Sequence, residues 1–516
     1  MKKSVVILLF LFMGVSFASA AEQLEDPRSL RELIALGLKT NLGLQVELLD
    51  TQKAADQVIV EEATFDSQLF AGTGYRRSST PYAATFSLAE TSDADEFSGR
   101  VGIGKTFETG MHATLTLDTV WLENNDLTNS LDPGYRTAVV LDLSQPLLRN
   151  LGVSINTTHI EMSQNQQRQA SLRFLLRAQE LTLQLELAAR QLAAKTAIIA
   201  LRKEALDLAD ELLKANRKRF DMGVIAVTQV QEAETAMASR KLSLSQAVQE
   251  RDLLRETLNR QLNHSLSNQF TAAGLIVPSV AVPPPNLPDI QQLLTVAEGK
   301  RLELKINDYS LQNSSLERHY FDNQLKPQFD LNLQAGLNGL SGDERFATGG
   351  SRYAGGWSDS VSSMAEADGY QWRIGLDFSV PLGNRAAKSR LHQAELQLKQ
   401  DRYRRQDIEV AIKDDLLRQT INVSQTWQQL KIADEFEELA QRSLKQEQRR
   451  LEEGLSDTFR IVVYQNTMIS ARIDRINSLT RYQLALAQID FASGKIFERH
   501  NIVLAKNSEE LSLEDI

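Results

Sequence analysis

Alternating apolar and polar residues mark four segments of the chain as β-strands with two unlike faces. The clearest covers residues 370–380, where every second residue is apolar and the residues between are polar or glycine. Residues 65–76, 137–143 and 329–338 alternate in a similar way. Runs of about ten such residues are typical of transmembrane barrel strands, although a half-buried soluble sheet alternates identically. Four strands cannot close a barrel alone, so the pattern predicts a barrel shared between copies of the chain.

Two stretches of 70 residues contain neither glycine nor proline and predict two very long helices. They lie between Gly152 and Gly223 and between Gly383 and Gly454. At about 1.5 Å per residue, each would extend on the order of 100 Å. Apolar residues that step by four and three predict a seam for packing helix against helix. In the first stretch these residues are Leu201, Ala205, Leu208, Leu212 and Ala215, and in the second stretch Leu430, Ala433, Ala440, Leu444 and Leu451 keep the same heptad register.

The chain is internally duplicated. The glycines that bound the long helices recur at an offset of 231 residues, and the apolar residues of 30–46 recur 260 residues later. Each half therefore predicts a helix, two strands, and a long helix that turns at a glycine into a second one. We place the first repeat at 21–275, a proline-rich linker at 276–288, the second repeat at 289–500 and an acidic disordered tail at 501–516.

The two halves differ between their strands. In the first half, residues 101–107 and 111–121 alternate around Gly110, which predicts an additional hairpin. The sequence leaves open whether this hairpin widens the sheet or caps it. In the second half, residues 338–369 are polar and contain seven glycines, so we expect a long mobile loop.

The first 20 residues have the features of a secretory signal peptide. Lys2 and Lys3 precede an apolar run, and Ala18-Ser19-Ala20 supplies a small-residue cleavage site. The exported chain would contain no cysteine, which excludes disulfides and thiolate metal sites. The full chain has a net charge of −10, which becomes −12 when Lys2 and Lys3 are removed with the signal peptide. Because both signs of charge are mixed along the predicted helices, the sequence does not predict a nucleic-acid surface.

The sequence does not predict catalysis, a metal site or a cofactor. The six histidines lie singly, without the spacing of metal ligands. Residues 99–106 satisfy the phosphate-loop pattern, with Lys105 and Thr106 at its end. A phosphate loop requires a helix to begin there, whereas Thr106 leads into a further alternating segment. We therefore expect no nucleotide site and no enzyme activity.

Two short motifs give the chain a resemblance to a known family. Arg219-Phe220-Asp221-Met222-Gly223-Val224 and Arg450-Leu451-Glu452-Glu453-Gly454-Leu455 are similar to the helix-to-helix turns of the TolC family of outer-membrane efflux and secretion channels. Gln145-Pro146-Leu147-Leu148 and Val380-Pro381-Leu382 resemble that family's junctions between strand and helix. The resemblance extends over about residues 24–497, nearly the whole predicted exported chain.

The resemblance implies an α+β membrane protein. Three copies would each give four strands to one transmembrane β-barrel in the outer membrane, and duplicated helical hairpins would form an α-barrel tunnel across the periplasm. Such a homotrimer would be the exit duct of a tripartite efflux pump or a type I secretion system. Its partners would be outer-membrane lipid, a periplasmic adaptor protein and an inner-membrane pump that is proton-driven or ATP-driven.

The resemblance also implies two sets of site residues. The adaptor would dock on the tips, at Phe220, Gly223, Val224, Leu451, Gly454 and Leu455. The periplasmic pore would narrow at Thr228, Gln229, Arg460 and Val463. Family members often carry acidic residues beyond the second tip, whereas this chain has Arg460, which puts an acidic, cation-selective ring in doubt.

Two other classes of protein remain open from the residues alone. A soluble periplasmic coiled-coil scaffold or surface adhesin could hold the alternating segments in a small sheet. The apolar residues of 370–380 argue against this class, because on a soluble protein they would form a costly exposed stripe. An exported nucleotide-binding enzyme rests only on residues 99–106.

Overall fold

The structure, a computed structural model, describes residues 29–81, 91–126, 129–266, 284–285, 288–345 and 350–502. The predicted signal peptide, most of the predicted linker and the predicted tail from residue 503 onward lie outside these residues. Within them, the chain forms eleven α-helices, one short 3-10 helix and six β-strands. None of the described helices combines the length and the apolar character that a membrane span requires.

The helices in chain order are α1 Leu30–Thr40, α2 Leu42–Glu62, α3 Val153–Asn156, α4 Thr158–Asp221, α5 Val227–Leu262, α6 Ile290–Lys300, α7 Leu302–Asn323, α8 Trp357–Ala365, α9 Arg385–Glu452, α10 Thr458–Ala492 and α11 Ile496–His500. The strands are β1 Gln68–Pro81, β2 Thr91–Thr106, β3 His112–Asn124, β4 Leu131–Pro146, β5 Gln328–Glu344 and β6 Gly369–Ser379. The two predicted long helices are α4 and α9. The first is shorter than predicted because the chain leaves helical geometry at Thr157, between α3 and α4.

The chain divides into two compact units. The sheet unit comprises Asn41–Leu183, Pro284–Gln428 and Ala485–Ile516. The helical unit comprises Met1–Thr40, Gln184–Pro283 and Gln429–Leu484. The described strands all belong to the sheet unit, and both glycine turns belong to the helical unit.

The six strands form one antiparallel sheet in which each strand pairs with the next along the chain. The four segments that alternate most clearly are β1, β4, β5 and β6. The additional hairpin is β2 and β3, and it lies inside the sheet between β1 and β4. β1 pairs with β2 along its whole length, and β3 pairs with β4 over residues 112–122. The hairpin is therefore a full member of the sheet and not a cap at its end.

The turn of this hairpin is fixed against the end of β4. Gly110 has a φ of +89°, and a Cβ there would lie 2.5 Å from the carbonyl oxygen of Asn150. The carbonyl oxygen of Thr109 accepts hydrogen bonds from the backbone N–H of Gly152, at 3.3 Å, and from Gln145 Nε2, at 3.4 Å. Glycine at 110 gives the backbone both the positive φ and the close approach.

The glycine-rich segment of the second half is more ordered than its composition indicates. β5 continues to Glu344, and α8 packs on β4 and β5. The hydroxyls of Thr137 and Ser360 are 2.5 Å apart, and a Cβ at Gly339 would lie 1.9 Å from the carbonyl oxygen of Ser360. The expectation of a mobile loop is wrong for these residues, because Gly339 leaves the space that seats α8 on the sheet.

The helical unit packs mainly through alanine and leucine. In α9, Leu430, Ala433, Ala440 and Leu444 are buried as predicted, and Leu451 is half-buried. Over residues 201–221 of α4, the buried residues are Ala205, Ala209, Leu213 and Asn216. The seam predicted for α4 is thus wrong except at Ala205. The small alanines set the line of closest helix approach, which leaves Leu201, Leu208 and Leu212 half-buried beside it.

Each glycine turn joins two helices that share a small apolar core. Leu213 of α4 packs with Val230 and Ala233 of α5. Ala440 and Leu444 of α9 pack with Met468 and Ala471 of α10. In the sheet unit, residues of α6, α7, α9 and α10 form a further core of Ala297, Leu304, Ile412, Leu416 and Ala492.

Candidate functional site

One face of the sheet is apolar, and in the single chain it is exposed except where α8 and the residues before it cover Thr137, Gly339 and Ser341. On β6, the apolar residues are between 60% and 74% exposed, and they are Tyr370, Trp372, Ile374, Leu376 and Phe378. The register sets Leu337, Leu333 and Leu331 of β5 beside Tyr370, Ile374 and Leu376. Because these residues alternate along their strands, they all lie on one side of the sheet. A soluble monomer rarely leaves an apolar surface of this kind uncovered.

The opposite face carries polar side chains that pair from strand to strand. Each charged group in these pairs meets an opposite charge or an amide on the next strand. The pairs are Arg76 Nη2 to Glu96 Oε2 at 2.6 Å, Arg100 Nε to Asp118 Oδ1 at 2.5 Å, Gln334 Nε2 to Asp142 Oδ1 at 2.8 Å, and Asn332 Nδ2 to Asp377 Oδ2 at 2.6 Å. Glycines lie between them on this face, at residues 72, 74, 102, 104, 336 and 375. This face is therefore suited to contact with water.

A row of aromatic residues ends the apolar face at the end of the strands opposite the β2–β3 turn at Gly110. Four neighbouring strands contribute to it, and Trp357 of α8 joins them around a cavity of ≈ 650 Å³. The cavity is lined by Tyr75, Phe97, Thr119, Trp121, Tyr135 and Trp357. Trp357 Nε1 donates a hydrogen bond to Thr119 Oγ1 at 2.8 Å. Beyond this row, the same face becomes charged, with Arg77 bound to Asp95 at 2.6 Å.

The two helix-to-helix turns have the same hydrogen bonds. Gly223 has a φ of +74°, its N–H donates to the Phe220 oxygen at 2.8 Å, and the Val224 N–H donates to the Arg219 oxygen at 2.9 Å. At the second turn, Gly454 has a φ of +77° and donates to the Leu451 oxygen. This is the Schellman arrangement that ends a helix on a left-handed residue, and it explains why glycine stands at both positions.

The turns expose the apolar residues that were predicted to dock an adaptor. Val224 is 63% exposed and Leu455 is 64% exposed, and each follows its glycine. Phe220 is exposed, and Leu451 is half-buried. In a Schellman motif, the residue after the glycine often contacts an apolar side chain five positions earlier in the helix. Here that position holds Arg219, so no apolar side chain from it covers Val224. Both turns therefore present an open apolar side chain.

The residues predicted to narrow the pore lie on the first two turns of the helices that follow the glycine turns. Thr228, Arg460 and Val463 are exposed, and Gln229 is half-buried. The buried Asn216 of α4 connects the two starts, because its Nδ2 lies 3.2 Å from the Gln229 oxygen and 3.4 Å from Thr458 Oγ1. The structure thus brings the beginnings of α5 and α10 to one side chain.

The second turn is held by two acidic residues that the sequence analysis does not single out. Asp457 caps α10, accepting the Arg460 N–H at 2.9 Å, and its carboxylate lies 3.8 Å from Arg460 Nε. The buried Glu447 accepts from Ser456 Oγ at 2.5 Å and from Arg450 Nη1 at 3.5 Å. The sequence signal that could have identified Asp457 is its position directly before the first residue of α10, where aspartate is a preferred helix cap. The first turn has Ala226 at that position and has no such cap.

A buried arginine ties α5 to its neighbours in the helical unit. Arg240 Nη1 donates to the Ala205 oxygen at 2.8 Å, and Nη2 donates to Gln465 Oε1 at 3.0 Å and Asn466 Oδ1 at 3.3 Å. All three acceptors are neutral, so burial lowers the pKa of the Arg240 guanidinium from its ordinary value. The group still acts as a multiple hydrogen-bond donor between three helices.

The phosphate-loop pattern is part of a strand. Residues 99–106 belong to β2, and Lys105 Nζ lies over the Phe107 ring at 5.6 Å from its centre. The chain then turns into β3 and not into a helix, as the sequence analysis predicts. Among the described residues, no group of acidic residues and histidines is placed to hold a metal ion.

Comparisons with known proteins identify a related family and a similar fold. Residues 321–495 match the model of the outer membrane efflux protein family. The fold is similar to the CmeC outer membrane channel of Campylobacter jejuni, with a TM-score of 0.64 and 14% identity, covering 90% of this chain and 86% of that one. A comparison with curated protein sequences finds no match.

Two further solved structures have a similar fold. The outer membrane protein VceC of Vibrio cholerae has a TM-score of 0.63 and 13% identity, covering 90% of this chain and 96% of that one. The open MtrE outer membrane channel of Neisseria gonorrhoeae has a TM-score of 0.60 and 15% identity, covering 93% and 92%. The predicted fold class, long helical hairpins combined with a strand domain, is confirmed.

Proposed function

The chain carries an outer membrane efflux protein domain at residues 321–495 in a fold shared with outer-membrane channels, and on this basis we propose that it is the exit duct of an export system. In this proposal, three copies assemble in the outer membrane and extend long helices into the periplasm. A periplasmic adaptor joins them to an inner-membrane pump, driven by protons or by ATP. The assembly is a tripartite efflux pump or a type I secretion system.

The observation that carries the proposal is the sheet with two unlike faces. Its apolar face fits the hydrocarbon of a lipid bilayer, and its polar face fits a water-filled lumen. From Phe329 to Ser341, β5 rises about 30 Å at the spacing and tilt of barrel strands, which matches a bilayer. Ser341 pairs with Tyr135 of the aromatic row, and Phe329 pairs with Phe378 at the other end. Aromatic residues are enriched at both membrane interfaces of such barrels.

A soluble scaffold or adhesin fits these observations less well. Its sheet would need another element to cover the apolar face of β6, where Trp372 and Leu376 are 70% and 60% exposed. α8 packs on β4 and β5. The stripe on β6 is therefore the specific feature that favours a membrane protein.

The two tips support the docking part of the proposal. Val224 and Leu455 are exposed apolar residues at equivalent positions of two turns with the same geometry. A repeated apolar contact of this kind fits a partner that meets each hairpin end in the same way. Thr228, Gln229, Arg460 and Val463 then form the periplasmic constriction, where Arg460 and Asp457 set the local charge.

The tip variant Val224→Asp with Leu455→Asp tests this docking role. Both side chains lie outside the turn hydrogen bonds, which are made by backbone atoms, so the turns stay intact. We expect a stable outer-membrane trimer that no longer crosslinks to its adaptor and no longer supports export, because two charges enter an apolar contact.

The matched control is Val224→Leu with Leu455→Val, which keeps the tips apolar and should keep export. Normal export by the Asp variant, at normal protein level, would remove the docking role from these residues.

A further inference from the structure

We propose that each copy of this chain contributes six strands to a shared ring, which three copies close as an eighteen-stranded barrel. The inference rests on the proposed trimeric channel. It deepens that proposal, because the resemblance to the TolC family implies only four strands per copy. The partner of each free sheet edge is a second copy of this chain.

The hairpin of β2 and β3 is an integral part of the sheet. β2 separates β1 from β3 along all of β1, and β3 separates β2 from β4 over residues 112–122. Arg100 pairs with Asp118 across β2 and β3, and Arg76 pairs with Glu96 across β1 and β2. If the hairpin left the sheet, Arg76 of β1 would lose its partner Glu96. The sheet therefore keeps six strands as a unit.

The hairpin has the same two faces as the neighbouring strands. Leu69, Val101, Leu117 and Val139 of four successive strands lie on the apolar face. The hairpin turn at Gly110 is held at the end of the sheet where β4 ends, and the strands reach the aromatic row at the other end through Phe97 and Trp121. β2 and β3 thus cross the full height of the apolar band.

The two edge strands of the sheet, β1 and β6, have no partner on their outer side in the described part of the chain, so each leaves one row of backbone groups unpaired. In a bilayer, every such group needs a partner, and only ring closure provides one. Six strands are too few to close around a lumen. β1 leads away from the helices and β6 leads back to α9, so β6 of one copy meets β1 of the next in antiparallel pairing, and the contact repeats around a ring.

The consequence is a wide lumen. Barrel diameter grows roughly in proportion to strand number, so eighteen strands give about 1.5 times the diameter of twelve. The polar face that lines it carries both signs of charge in cross-strand pairs, such as Arg100 with Asp118. We infer that the sheet admits bulkier cargo than a twelve-stranded ring would.

Disulfide trapping in the outer membrane tests the strand count, and the chain is free of cysteine. Val120→Cys with Arg136→Cys joins directly paired residues of β3 and β4 and should form a bond. No disulfide should form when Arg136→Cys is combined in turn with Gly72→Cys, Gly74→Cys and Arg76→Cys of β1. Three strand spacings, about 14 Å, separate β1 from β4, and a disulfide reaches less than about 7 Å between Cα atoms.

The edge pairing is tested in the same background. Gly375→Cys in β6, combined in turn with the same three β1 positions, should link copies into dimers and trimers on a denaturing gel. A bond between β1 and β4 would show that the hairpin is excluded, which overturns the eighteen-stranded ring but leaves the trimer. If Val120 and Arg136 bond but no β1 position links copies, the shared ring itself is wrong.

Discussion

At the scale of single residues, the two helix turns show the same chemistry used twice. Gly223 and Gly454 take the left-handed conformation, which a Cβ disfavours, and nothing lies within 4 Å of a Cβ built on either one. The sequence predicts both positions, since glycine interrupts a long stretch without helix breakers. It does not predict Asn216 or Glu447, because a polar residue within a long helix is ordinarily solvated and only the fold buries these two.

The tip glycines give the first prediction. Gly223→Ala and Gly454→Ala should each destabilise the turn by about 1 kcal/mol. This is the cost of the left-handed backbone alone, because no neighbouring atom would clash with the added Cβ. The backbone amides of the turn should then exchange hydrogen about fivefold faster, measured by mass spectrometry of tip peptides.

Gly299→Ala is the matched control, since it adds a Cβ in open space at an ordinary helical φ, and it should leave tip exchange unchanged. Unchanged exchange in both tip variants would mean that the glycines do not define the turns.

At the scale of elements, the strands and long helices follow from the pattern, and α8 does not. Alternation locates β4, β5 and β6 because their two faces meet different surroundings. α8 is missed because four of its nine residues are serine, and the nearby glycines suggest a loop. The seam of α4 is displaced for a related reason, since the pattern weights leucine whereas Ala205 and Ala209 set the closest helix contact.

The seat of α8 gives the second prediction. Gly339→Val should displace the helix, because its Cβ would meet the Ser360 oxygen at 1.9 Å. Chymotrypsin should then cleave after Trp357 about tenfold faster, as local opening becomes easier.

Gly375→Val is the control on β6, where no atom lies within 4 Å of the added Cβ. Equal cleavage rates in the two variants would contradict the packing of α8 on the sheet.

The two faces of β6 give the third prediction. Ile374→Arg lies on the apolar face opposite Leu333, in the central part of the band between Phe329 and Ser341, so it should cost about 2–4 kcal/mol and block assembly. Asp377→Arg lies on the polar face, where Asn332 now donates to Asp377, so trimer yield should stay close to that of the unaltered chain. Yields of outer-membrane trimer are the measurement, and equal losses in the two variants would remove the membrane assignment of this strand.

At the scale of the whole molecule, the chain is incomplete as a single copy. Its sheet exposes an apolar face and leaves two edges unpaired among the described residues, and its tips expose Val224 and Leu455. The duplication and the strand pattern indicate an assembly already in the sequence. The number of strands that each copy contributes emerges only from the pairing of β1 with β2 and of β3 with β4, because alternation does not specify a strand's neighbours.

The central claim is a trimeric duct in the outer membrane, and cell fractionation followed by a mass measurement of the detergent-extracted protein tests it most directly. We expect recovery in the outer-membrane fraction, with a native mass of about three copies of the exported chain. Release of a monomer with the periplasmic contents would contradict the claim.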